Sequence, residues 1–78
     1  MASLVSAVDT EFTPAVGDFN VSVTTMAATL MRKNSAGTAF AAVPPGEFSG
    51  AMVCSNPVAG AVYKFTSKYN TAVVQADQ

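Results

Sequence analysis

The chain has 78 residues, of which 50% are hydrophobic and 12% charged, with a formal net charge of −1, one cysteine and no histidine. That length makes one domain, near the lower limit at which an apolar core suffices alone, and scaffolds below roughly 80 residues usually lean on disulfides, a metal or a partner subunit. The lone Cys54 forms no internal disulfide, the lack of histidine removes the usual zinc ligands, and Arg32, Lys33, Lys64 and Lys68 are too few for a nucleic-acid footprint. Oligomerisation or docking onto a larger assembly is the support left over.

Charged residues are half as frequent as the roughly 25% of typical soluble domains, so part of the surface is expected to face something other than water. "MASLVSAV" lacks a basic segment followed by a continuous apolar run, so no signal peptide is read there, and no stretch approaches a membrane span of about 20 residues. A soluble protein made in a cytoplasm is the simplest expectation.

Residues 1–11 read as an extended N-terminal arm or a short strand, ending in Asp9 and Glu11. From Phe12 onward the signals are β. Pro14 and Gly17 mark a turn, and "DFNVSVTT" alternates Phe19, Val21 and Val23 against Asn20, Ser22 and Thr24, the period-two pattern of a strand with one buried face. "AATLMRKN" reads as the returning strand, with Leu30 inward. "NSAG" supplies turn chemistry, and "TAFAAV" is a short strand anchored by Phe40.

The two prolines of "PPGEFSG" place that stretch on a surface loop with Phe48 near its tip. "AMVCS" is another short strand and "NPVAG" another turn. "AVYKFTS" turns Tyr63 and Phe65 inward, "KYN" closes a turn, and "TAVVQA" is the last strand. Turn signals recurring every ~8 to 12 residues predict an all-β fold: a small antiparallel β-sandwich or barrel of about six to seven short strands. The single β domain spans residues 12–78 behind the arm of residues 1–11.

Catalytic chemistry has little to stand on. Without histidine a general base would be a carboxylate, lysine or tyrosine with a strongly shifted pKa. Asp9 and Glu11 lie two apart, as a carboxylate pair on one side of a strand would, but solvated charges are the commoner role of such acids. Cys54 sits in an apolar strand with no basic partner in sequence and reads as a buried, inert thiol. Arg32 and Lys33 point to opposite faces of a strand and form no single basic patch. "NVS" at residues 20–22 matches a glycosylation acceptor by chance rather than by context. The expectation is a protein that is not an enzyme and carries no cofactor or metal.

Candidate partner contacts are therefore aromatic, proline and apolar residues on loops and the arm. They are Phe48 with Pro44 and Pro45, Tyr69 in the "KYN" turn, and Leu4 and Val5. Phe48 can anchor an interface or cap the open end of the fold, and Tyr69 can also stack on a sugar ring.

The run "FTPAVGDFNVSV", followed by "ATLMRKNSAGTAFAAV" and "NPVAGAVYKFTS", resembles small bacteriophage virion structural proteins. The matching positions are Phe12, Pro14, Gly17, Phe19, Asn20 and Val21, then Leu30, Arg32, Gly37 and Phe40, then Pro57, Gly60, Tyr63 and Lys64. They cover about residues 12–67. The chain departs from the pattern at Thr25 and Met26, where a Gly-rich turn is expected, and at Phe40, where a tryptophan is common. The resemblance implies a structural role in the virion: a capsid decoration or cement protein bound to the major capsid protein, or a small tail or spike component. It also implies a homo-oligomer, trimer preferred over dimer; charge and hydropathy point to no nucleic-acid or membrane partner. A carbohydrate-binding or host-adsorption module on the phage surface is the alternative.

Overall fold

The computed structural model describes residues 2–34 and 37–78. It is all-β, with no helix among the described residues: β1 (Ser3–Val5), β2 (Gly17–Lys33), β3 (Phe40–Asn56), β4 (Tyr63–Thr66) and β5 (Val73–Asp77). They form one five-stranded antiparallel sheet in the order β1-β5-β2-β3, with β4 also on β2. Strands β2 and β3, each 17 residues long, pair along their whole lengths. On its other edge β2 pairs first with β5, over Asn20–Thr25, and then with β4, over Thr29–Arg32.

Two opposed bulges bend this long ribbon. Between the pairs Val23↔Gly50 and Ala28↔Phe48, the four residues Thr24 to Ala27 of β2 face only Ser49 of β3. Between Thr29↔Glu47 and Met31↔Ala42 the imbalance reverses, and Val43 to Gly46 of β3 face only Leu30. Extra residues on one strand kink it and strengthen its twist. The first bulge holds Met26 in the left-handed region, at φ 62°, and Gly46 and Gly50 of β3 both take φ 90°, where a side chain is disfavoured. The first bulge also resets which residues point inward. Before it the buried positions are odd-numbered (Phe19, Val21, Val23), and after it they are even-numbered (Ala28, Leu30).

The bend brings the inner faces of the two halves together. Phe19 meets Tyr63 edge-on at 5.2 Å between ring centroids, and Phe12 lies between them and Phe65, within about 6 Å of each of the three rings. Val5, Val74 and Ala76 complete the buried cluster. The inward assignments of Phe19, Val21, Val23, Leu30, Tyr63 and Phe65 therefore agree with the sequence reading.

Other expectations need correction. The described residues hold five strands rather than six or seven, because "DFNVSVTT" and "AATLMRKN" are one strand and "TAFAAV", "PPGEFSG" and "AMVCS" are another. The prolines are accommodated because β3 is an edge strand and Pro44 and Pro45 lie in its bulge, where no ladder donor is required. Of the two expectations for residues 1–11, an extended arm or a short strand, the described residues show the short strand. Ser3–Val5 pairs with β5, Ala2 and Gln78 exchange backbone hydrogen bonds at 2.8 and 2.9 Å, Asp9 N–H donates to Phe65 C=O, and Phe12 bridges Tyr63. Residues 2–12 thus belong to the same body as the rest. In the "NSAG" turn, Ser35 and Ala36 fall outside the described residues; Asn34 C=O accepts from Gly37 N–H and its side-chain oxygen accepts from Thr38 N–H.

Candidate functional site

The bend in β3 has a second consequence. Residues on both sides of its bulge, Ala41 to Pro44 and Met52 to Ser55, line a cleft of about 990 Å³. The turn after β3, Val58 to Val62, lines it as well, and Arg32 and Lys33 stand at the end of β2. The walls are mostly Ala, Val and Met, so the cleft suits apolar side chains rather than a polar small molecule.

Tyr63, almost fully buried, also lines the cleft. Its hydroxyl donates to Asn56 Oδ1 at 3.1 Å, and Asn56 Nδ2 donates to Pro14 C=O at 3.0 Å, both in full burial. The Arg32 guanidinium stands 5.9 Å from the Tyr63 ring centroid. Burial pushes the Tyr63 hydroxyl above its ordinary value, the nearby Arg32 charge opposing the rise and Cys54 adding to it. Burial likewise pushes up the Cys54 thiol. Both groups therefore stay protonated at neutral pH, which suits neither a base nor a thiolate nucleophile.

Charged side chains gather around Phe40, and Lys33 among them also lines the cleft. Lys64 Nζ lies 4.4 Å and Lys33 Nζ 5.4 Å from the Phe40 ring centroid, and Lys33 also faces Glu11 at 3.6 Å. Phe40 is thus a half-exposed platform between two lysines, not a core anchor. Asp9 takes φ 60° and is exposed, while Glu11 pairs with Lys33, so the two acids occupy different settings. Lys68 pairs with Glu47 at 3.8 Å.

The six candidate contacts scatter. Val5 is a core residue at 6% exposure, and Leu4 packs partly buried against that core. Phe48 is no loop tip: it sits in β3 opposite Ala28 with its ring against the core. Pro45 is exposed in the β3 bulge, and of the six only Pro44 lines the cleft. Tyr69 is half-buried, its backbone N–H donating to Ser67 Oγ and its ring 5.4 Å from Lys68 Nζ.

Sequence reasoning missed the exposed valines of the cleft, Val53 and Val58, at 64% and 53% exposure. A signal for them was available: from Asn34 to Tyr63 the chain carries one charge, Glu47. No family model, curated protein or solved structure matches the chain.

Proposed function

We propose that the protein is a non-enzymatic structural component of a virion, a capsid decoration or cement protein that docks on the major capsid protein and stabilises the shell. The observation that carries this reading is the nearly charge-free tract from Asn34 to Tyr63, which forms the β3 edge and the apolar cleft beside it and leaves Val53 and Val58 exposed. Surface of that kind favours burial against another protein. The resemblance of residues 12–67 to phage virion proteins supplies the assembly. We read the folded-over sheet as a minimal sandwich-like body, whose small core gains stability from neighbours through mass action.

Working as a homo-oligomer fits the same surface. The glycan-binding alternative draws less support, because the Phe48 ring packs against the core and Tyr69 is half-buried beside Lys68. The test is to add purified protein to undecorated shells of the phage that encodes it. Saturable binding at a fixed ratio and a higher shell melting temperature are expected, and no binding overturns the reading.

A further inference from the structure

We propose that the Ala51–Ser55 edge of β3 pairs antiparallel with the same segment of a second copy, about a two-fold axis near Val53, joining two sheets into one. An unpaired strand edge presents a row of backbone donors and acceptors, and native proteins blunt it by shortness, charge, proline, bulges or a covering segment.

The other edges of this sheet carry such guards. Strand β1 is three residues long and lies opposite Asp77. Strand β4 has Lys64 at its centre, and its outer side is taken by Phe12 and by Asp9 N–H. In the first arm of β3 the guard is the Val43–Gly46 bulge with its two prolines. Beyond Gly50, which adjoins the first bulge, the segment Ala51–Ser55 has none: its register is unbroken, and it is charge-free.

Its occupant follows from that composition. An uncharged edge gives no electrostatic preference to a charged partner, and a second copy lays no like charges against it. With the axis at Val53, Val53 meets Val53 of the other copy, a favourable β-branched cross-strand pair. Met52 then lies beside Cys54, a long side chain against a short one, and Ala51 beside Ser55. The cleft borders the segment beside Met52 and Cys54, and Ala51, Val53 and Ser55 on the other face are exposed, so the alternating side chains of an added strand have room on each. A two-fold contact uses one patch on both copies and closes as a dimer.

The pairing stands apart from the virion reading, since it concerns the free protein in solution. Light scattering across a concentration series should give twice the 8.0 kDa chain mass for the wild type. Val53→Lys places two like charges opposite each other at an exposed site, and the mass should fall by half, with the β circular dichroism spectrum unchanged. Val16→Lys, at an exposed valine outside β3, should leave the double mass intact. Should Val53→Lys not fold, Val53→Glu makes the same like-charge test at the self-paired position, and wild-type hydrogen exchange reads it without mutation, the edge-facing amides of residues 51–55 losing protection on dilution. A single-chain mass at every concentration, a three-chain mass, or a double mass that survives a folded lysine variant overturns the pairing.

Discussion

Tyr63 and Asn56 share a buried hydrogen bond, the phenol donating to the amide oxygen at 3.1 Å while the amide nitrogen holds Pro14 C=O. This relay ties the start of β4, the end of β3 and the segment leading into β2. Removing one partner leaves a polar atom buried without water, which costs about 1–3 kcal/mol. Tyr63→Phe should lower the unfolding free energy by that amount. Asn56→Ala should cost more, because it strands both the phenol and the proline carbonyl. Urea denaturation of the two variants checks the order.

The same burial predicts an alkaline weakness. The Tyr63 and Cys54 values are raised above their ordinary 10.0 and 9.0, so between each ordinary value and its raised one the folded state holds a proton that the unfolded chain has lost. Stability then falls as pH rises. The contribution is intact below about pH 9 and is lost through the alkaline range above it. Melting temperatures measured from pH 7 to 11 should show the decline, and Tyr63→Phe combined with Cys54→Ala should flatten it.

Met26 holds the first bulge at φ 62° with an exposed side chain. Left-handed backbone costs an L-residue roughly 1–2 kcal/mol, partly offset in glycine by the greater entropy of its unfolded chain. Met26→Gly should therefore be neutral to stabilising by up to about 1 kcal/mol, whereas Met26→Val should destabilise by about 1–2 kcal/mol. Opposite signs in thermal melts test the bulge geometry itself.

Two phenylalanines that look alike in sequence should behave differently. Phe19 is fully buried against the Phe12 and Tyr63 rings, and Phe19→Ala should cost about 3–5 kcal/mol, enough to unfold much of a domain this small. Phe40 lies half-exposed between Lys33 and Lys64, and Phe40→Ala should cost about 1 kcal/mol, the scale of an exposed cation–π contact. Guanidinium unfolding curves of the two variants make the comparison.

What was legible in the sequence was whatever period two carries locally. Phe19, Val21 and Val23 announce their face, as do Tyr63 and Phe65, because alternation needs no knowledge of the partner strand. The continuity of β2 through Thr25 and Met26 was not legible. A break in alternation looks the same whether the chain reverses or bulges, and the difference lies in Ser49 of the other strand. Pro44 and Pro45 misled for a related reason, since their tolerance depends on β3 being an edge. Ser3–Val5 is too short to show a period. The cleft was hidden because its walls come from the curl of β3, although the scarcity of charge from Asn34 to Tyr63 marked the surface in advance.

The central claim is that this protein is a structural part of a particle, and its most direct test is quantitative mass spectrometry of purified virions of the phage that encodes it. The account predicts the chain at a fixed stoichiometric ratio to the major capsid protein. Infectious, stable particles that lack the chain would contradict it.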